Sequence, residues 1–517
     1  MPVTSAQSSY DQSPYKSLPF RESRPDGMAT IAAAMGMEPA PPDRCRVLEL
    51  GCSSGGNLIP LAEQFPNSEF LGLDFSATGL AGGQAVIAEL KLPNIRLELR
   101  DIRDSHQELG QFDYIIAHGV FSWVDRAVQD RVLSICAANL GERGVAYVSY
   151  NTYPGWAQRG TVRDIMRFHT RHLTDRAQRV TPARQTVDLF VELLGVFPSK
   201  GYAEALREEQ KHIQGLEDYA LIHDHLWDTN LPLYFHQFVE RAAGAGLQFL
   251  AEANFPSSFS ENLPPAAARM VAHNAKDRVE AGQYADFLTN RFFRQTLLCH
   301  ANVKLDATPS PARARRFHVG SSAKAEGAVD VASTEPARFC GKGNSSITTR
   351  DPSLKSIMMR LVQIWPQSAP MEGLLTLARQ QAGLQDESGV LAALARCHSG
   401  GVVEFSLQPA MFTTTVSQRP AVSGYARWQA RQGALITNRR HESVRLDELS
   451  RQVLARLDGS TDRAALAAGI GQLVDRGKLV ASEHGQPIPD PIRAKQLLTD
   501  RLESVFAELA RAALLVG

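Results

Sequence analysis

No stretch of this 517-residue chain approaches the run of roughly 18–20 apolar residues that a membrane-spanning helix needs. The N-terminal stretch, with Thr4, Ser5, Gln7, Ser8 and Ser9, has neither a basic nor an apolar region, so no secretory signal is expected. Cysteine is scarce. Cys45, Cys52, Cys136, Cys299, Cys340 and Cys397 lie far apart and form no CxxC pair. A disulfide framework and a zinc ribbon are thereby excluded, and a reducing, cytoplasmic setting is expected. Net charge is also missing, since 55 basic side chains face 55 acidic ones. Bulk attraction to nucleic acid or to an anionic membrane therefore cannot organise the molecule. What is present is an ordinary globular composition, 44% hydrophobic and 21% charged. The length suits about three domains.

The neutral total hides a split. Residues 1–300 carry 28 basic and 35 acidic side chains, and residues 301–517 carry 27 and 20. Drift over long stretches explains this as well as two distinct halves do. From Arg46 the sequence alternates apolar runs with helical periods. Val47–Leu50, Phe70–Leu73, Ile95–Leu99, Tyr114–Ala117 and Val145–Tyr150 read as strands. Leu58–Gln64, Thr78–Leu90 and Arg126–Leu140 read as the helices between them. This rhythm predicts an α/β, Rossmann-like, doubly wound sheet. Residues 157–247 look like a helical insertion, and Gln248–Ala253 and Phe293–Cys299 like late strands of the same sheet. Residues 306–348 are rich in Ala, Pro, Ser and Gly and read as a linker. Beyond it, Leu354–Ile364, Leu374–Ala382, Val390–Cys397 and Val402–Leu407 give a helix–helix–helix–strand order. Leu446–Leu457, Ala464–Asp475 and Leu479–Ala481 repeat a similar order, and a last helix is expected over 492–514. Two winged-helix-like modules in a mainly helical C-terminal region are the natural reading.

The segment Glu49-Leu50-Gly51-Cys52-Ser53-Ser54-Gly55-Gly56-Asn57 follows a strand and opens a helix. Glycine there permits a tight turn and close approach of a ligand. Asp74 ends the next strand, where a carboxylate can accept from ribose hydroxyls, and Asp101 follows the third, where it can accept from an adenine amine. An acid directly before the turn, Glu49, repels a pyrophosphate but suits a cationic ligand. That favours S-adenosylmethionine over a dinucleotide. The string Gly51-Cys52-Ser53-Ser54-Gly55 also matches the G-x-S-x-G elbow of hydrolases, but no oxyanion loop such as HGG precedes it.

Val47–Leu61, Glu69–Ser76, Phe112–Trp123 and Val145–Trp156 resemble bacterial class I S-adenosylmethionine-dependent methyltransferases that carry a methyltransferase regulatory domain. The signatures are Ala117-His118-Gly119-Val120-Phe121-Ser122-Trp123 and Tyr147-Val148-Ser149-Tyr150-Asn151-Thr152-Tyr153-Pro154-Gly155-Trp156. The likeness continues through Tyr234–Glu240 and Phe292–Cys299, and includes Ser13-Pro14-Tyr15 and Leu18-Pro19-Phe20. Ser53-Ser54 departs from the Gly-Asp or Ala-Ser pair of many relatives. The family includes rickettsial protein lysine methyltransferases that modify outer-membrane surface proteins. The resemblance implies an N-terminal lid segment (1–43), a methyltransferase core (44–156), a helical regulatory or middle insertion (157–247), the end of the sheet (248–305), the linker (306–348) and a winged-helix-like accessory region (349–517).

S-adenosyl-L-methionine is the expected cofactor. Gly51, Cys52, Gly55 and Asn57 are expected at its methionine end, with Glu49 orienting the turn or the α-amino group. Asp74 is expected at the ribose, Phe75, Asp101 and Ile102 at the adenine, and Tyr10 and Tyr15 as a lid. His118 and Gly119 follow the fourth strand, and His118 could touch the cofactor or take a proton. Tyr150, Asn151, Tyr153 and Trp156 are the expected acceptor site, because aromatic rings can enclose an alkylammonium chain. His223-Asp224-His225 invites a metal reading, but H-x-H does not share a helix face, so no metal is expected. The expected acceptor is a protein lysine. A small-molecule O- or N-acceptor, a non-catalytic regulatory role and a homodimer stay open. Nucleic acid is disfavoured, because Val390–Cys397 carries only Arg396.

Overall fold

The structure, a computed structural model, describes residues 16–104, 107–196, 200–308, 310–343, 345–480, 482–483, 486–488 and 490–516. Its centre is a seven-stranded sheet. The strands are β1 (Arg46–Leu50), β2 (Glu69–Asp74), β3 (Ile95–Leu99), β4 (Phe112–Ala117), β5 (Leu140–Asn151), β6 (Leu247–Glu252) and β7 (Phe293–His300). Their order is β3-β2-β1-β4-β5-β7-β6. Strands β1 to β5 run parallel, and β7 runs antiparallel to both β5 and β6.

Alternation along each strand sends side chains to two cores. Val47, Phe70, Tyr114, Ile116, Val145 and Tyr147 face one cluster, while Leu48, Leu71, Ile115, Ala117, Ala146 and Val148 face the other. Parallel strands covered on both faces need this near-continuous apolar run, which is why they stand out in the sequence. The order reverses beside β1, which pairs with β2 on one side and β4 on the other. Ligands of open α/β sheets bind at such a switch point, beyond the carboxyl ends of the strands.

Helices Gly155–Thr170, Arg176–Leu193 and Lys200–Gly215 form the insertion between β5 and β6. They share a core of their own through Val162, Met166, Val187, Leu206 and Ile213. The stretch 306–348 is not a bare connection. His318–Gly320 pairs with Ala369–Pro370 and Glu404–Ser406, and Lys324–Ala325, Ala337–Cys340 and Ser346–Thr349 form a second small sheet. These strands are two to four residues long and rely on a few buried anchors such as Phe317, Val319 and Phe339. Runs so short leave no readable period in the sequence.

Helices Pro352–Ile364, Met371–Ala382 and Glu387–Ser399 surround one core, and Glu448–Leu454 and Arg463–Asp475 belong to another. Leu479 is a buried core residue rather than part of a strand, and the hairpin is Ser482–Glu483 with Gln486–Pro487. The last helix divides into Pro491–Asp500 and Leu502–Arg511. No helix among the described residues is long and apolar enough to cross a membrane.

Candidate functional site

After Leu50 the chain turns through three left-handed positions, Gly51 (φ +77°), Ser53 (φ +49°) and Gly55 (φ +72°). A Cβ at Gly51 would run into Val120 Cγ2, so only glycine fits there. Ser53 tolerates the left-handed backbone because its N–H donates to Asp74 Oδ2 at 2.8 Å. The N–H of Ser76 donates to Asp74 Oδ1, also at 2.8 Å. The strand-end carboxylate thus fixes the turn that lies beside it.

Glu49 points from β1 into the same place and is buried. Its Oε1 accepts from Asn57 Nδ2 at 2.8 Å, while its Oε2 is buried with no partner among the described residues. Burial pushes its pKa up to about 8, opposed by the Asn57 hydrogen bond and helped by the charge of Asp74. Asn57 Oδ1 in turn accepts from the Phe20 N–H at 3.0 Å and from His441 Nε2 at 2.7 Å.

These groups open on a cavity of about 380 Å³ at the switch point. Glu49, Gly51, Cys52, Asn57, Asp74, Phe75, Asp101, Ile102, His118 and Gly119 all line it. Phe20 stacks on His118 with ring centroids 3.4 Å apart, and the Gly56 N–H donates to Ser17 Oγ at 2.7 Å. The N-terminal segment therefore lies across the turn. His118 Nδ1 shares a hydrogen bond with the Tyr147 hydroxyl at 2.8 Å. Burial lowers its pKa to about 3, which makes it a poor proton acceptor. Asp101 is gripped by Arg103 at 2.6 Å, a contact that lowers its pKa.

Several expected residues stand elsewhere. Gly55 faces Ile59 and Leu97 and lies just before the helix Leu58–Gln64, its carbonyl accepting from the Ile59 N–H, away from the cavity wall. Tyr10 and Tyr15 lie outside the described residues. Tyr150 is a core residue, with its ring stacked on Phe238 at 4.1 Å and its hydroxyl 3.2 Å from Thr296 Oγ1. Asn151 is buried and donates to Asn230 Oδ1 at 2.9 Å. Tyr153 packs on Tyr234 at 5.1 Å, and Trp156 lies behind Trp123 at 6.0 Å. None of these four lines the cavity. The reason is the length of β5, which continues to Asn151 in register with Phe293 of β7 and carries the aromatic turn past the cavity edge.

In their place the cavity takes Trp123, and His223, Asp224, Trp227 and Thr229 from the insertion. The cluster His223-Asp224-His225 is visible in the sequence, where it reads as a metal motif or, more readily, as a polar contact between helices. Its approach to β1 is a tertiary fact. Among the described residues, no three His, Cys, Asp or Glu side chains gather as metal ligands.

Three family models match in succession. A methyltransferase domain covers residues 48–146, a predicted methyltransferase regulatory domain covers 217–300, and the C-terminal winged helix domain of PKMT covers 418–514. An uncharacterized protein of Rickettsia prowazekii (strain Madrid E) is 30% identical over 512 residues, 97% of this chain and 91% of that protein. The chain belongs to the S-adenosylmethionine-dependent methyltransferases with this regulatory domain. A second uncharacterized protein of that organism is 36% identical over 234 residues, 45% of this chain and 93% of its own. The structure of PKMT2 from Rickettsia typhi matches the methyltransferase with a TM-score of 0.86 at 29% identity, over 97% of this chain and 100% of that one. The same protein in complex with AdoHcy matches with a TM-score of 0.86 over 98% of this chain.

The cavity of the methyltransferase fits its cofactor on its own evidence. The unpartnered Oε2 of Glu49 is a buried acceptor beside the glycine turn, where an ammonium group would meet it. The regulatory-domain match begins at 217, so it includes the insertion residues that reach the cavity and the strands β6 and β7.

Proposed function

We propose that the protein methylates lysine side chains of other proteins and works in the cytoplasm. One observation carries the cofactor half of this reading: the unpartnered Glu49 Oε2 on the wall of the switch-point cavity. The acceptor half is supported by the likeness to PKMT2 along 97% of the chain.

When bound, S-adenosylmethionine supplies an electrophilic methyl group whose transfer to an amine leaves a neutral thioether. Gly51 and Cys52 give the methionine end a backbone wall free of side-chain obstruction. Glu49 receives the α-ammonium group, and Asn57 keeps that carboxylate turned toward the cavity. Asp74, at the end of β2 on the cavity wall, accepts from the ribose hydroxyls. Asp101, steadied by Arg103, and Phe75 and Ile102 bound the adenine. Phe20, stacked on His118, covers the site and excludes water, and alignment in such a dry site supplies most of the rate. His118 orients rather than deprotonates, since burial holds it neutral.

Two measurements test the reading. Calorimetric titration with S-adenosylmethionine should give clear binding that Asp74→Ala weakens by about tenfold or more, as expected for two charge-assisted hydrogen bonds lost. Binding unchanged by that substitution would remove Asp74 from the site. Incubation with radiolabelled cofactor and bacterial lysate should put label on protein lysines. Label confined to small molecules would favour a small-molecule acceptor instead.

A further inference from the structure

The insertion between β5 and β6 reaches the cofactor cavity through a single turn. His223, Asp224 and Trp227 lie on or just after the π-helical turn Ile222–Leu226 and join Trp123 on the cavity wall. Such turns interrupt the regular hydrogen-bond ladder and recur at functional sites.

This turn is fixed to the sheet. The Arg163 guanidinium donates to the carbonyls of Trp227 and Asp228. The Leu231 N–H donates to the Ser122 carbonyl at 2.8 Å, and Asn151 Nδ2 donates to Asn230 Oδ1 at 2.9 Å. Arg167 and Arg176 hold Asp228 at 3.2 and 2.8 Å. These contacts tie the segment just after the turn to the Phe121–Trp123 turn beyond β4, to the end of β5 and to the first and second helices of the insertion.

The chemistry of the turn is selective. Trp227 stacks on His223 at 5.5 Å, and Trp123 is braced edge-on by Trp156 at 6.0 Å. Asp224 is half-buried, and among the described residues no hydrogen bond or ion pair engages its carboxylate. Burial pushes its pKa up to about 6, opposed by the charge of Arg159. No Lys or Arg of the insertion lines the cavity. Two indoles and one carboxylate match an alkylammonium chain, and the two cations on the cavity wall, Arg100 and Arg103, follow β3 and pair with Glu98 and Asp101. The carboxylate repels an anionic acceptor, and a neutral hydroxyl could donate to it but would leave its charge uncompensated.

We propose that Trp123, Trp227 and Asp224 form the acceptor subsite, with the lysine methylenes against the indoles and the nitrogen at the Asp224 carboxylate. This rests on the reading that the protein methylates an amine. It moves the acceptor site from the aromatic turn after β5 to the regulatory insertion.

The test uses the full chain saturated with S-adenosylhomocysteine and two peptides, acetyl-Ala-Lys-Ala-amide and its norleucine counterpart, in calorimetric titration. The wild type should prefer the lysine peptide by about tenfold, the usual worth of one charge-assisted hydrogen bond. Asp224→Asn should erase the preference and Asp224→Glu should keep most of it, with S-adenosylhomocysteine affinity within about twofold in both. Equal binding of the two peptides by the wild type, or a preference retained in Asp224→Asn, overturns the proposal. So does a parallel loss of S-adenosylhomocysteine affinity, which would make Asp224 structural. The two readings fail separately. Lysine preference with label only in small molecules removes the protein acceptor and keeps the subsite. Labelled protein lysine with the lysine preference retained in Asp224→Asn does the reverse.

Discussion

Glu49 is the buried acid on the wall of the switch-point cavity. A carboxylate without a second partner is costly to bury, and burial holds its pKa at about 8. In the unfolded chain it would titrate at about 4.3. The folded value is the higher one, so Glu49 costs nothing below the unfolded pKa, and stability falls as pH rises from there through about 8. A cationic ligand reverses that penalty, because it favours the ionised form. Cofactor binding near neutral pH should therefore release a proton. Affinity should rise with pH and level off above about 8. Titration calorimetry in two buffers of different ionisation enthalpy reads the proton directly. Glu49→Gln should remove the released proton and the pH dependence together, and a release that persists in that variant would assign it to another group.

At the scale of elements, the antiparallel pair β6–β7 closes the sheet around a buried ion cluster. Arg294 donates to Glu252 Oε1 at 2.6 Å and to both oxygens of Asp286 at 2.8 and 2.9 Å. The cluster joins β6, β7 and the helix Arg278–Thr289, and Arg294 lies 3.5 Å over the Phe235 ring. Its neighbour Phe293 is in register with Asn151, so this packing also sets where β5 ends. Removing Arg294 leaves the buried Glu252 without a cation and Asp286 with Arg291 at 3.3 Å. Arg294→Met should cost about 3–5 kcal/mol, measured by chemical denaturation. A loss under about 1 kcal/mol would mean that the carboxylates protonate and relax instead.

Across the whole molecule, the C-terminal half touches a residue of the cavity wall, Asn57. His441 sits in the stretch matched by the winged-helix model, adopts a left-handed φ of +60° and is buried. Its Nε2 lies 2.7 Å from Asn57 Oδ1, whose amide nitrogen donates to Glu49. A parallel clamp holds the N-terminal segment. Arg21 binds Glu404 at 2.8 Å and Glu442 at 3.2 Å, and Arg440 binds Glu404 at 2.8 Å. Burial works against the Glu404 charge, yet Arg21 and Arg440 hold its pKa down at about 2. The N-terminal Arg21 is thus held by acidic residues of the C-terminal half, with Arg440 sharing Glu404. His441→Ala should weaken S-adenosylmethionine binding by about three- to tenfold, as one buried hydrogen bond to Asn57 is lost. It should also speed amide exchange at 17–24, and unchanged exchange there would confine His441 to its own domain.

Sequence by itself determined the parallel sheet, the glycine turn and the strand-end acids. Each is local: an apolar run covered on two faces, a left-handed backbone that needs Gly51, a carboxylate within reach of its own turn. The helix Leu58–Gln64 and the strand Ile95–Leu99 were legible to the residue for the same reason. Tertiary structure alone decided who else meets them. His441 lies 384 positions from Asn57, and no period in the chain announces that hydrogen bond. The short strands between 306 and 348 depend on partners as distant as Glu404–Ser406. Tyr150 packs in the core while Asp224 lines the cavity, a placement set by the pairing of β5 with β7 and by the path of the insertion. Local sequence writes the turn that binds a ligand, whereas the walls around it come from packing between segments that only folding brings together.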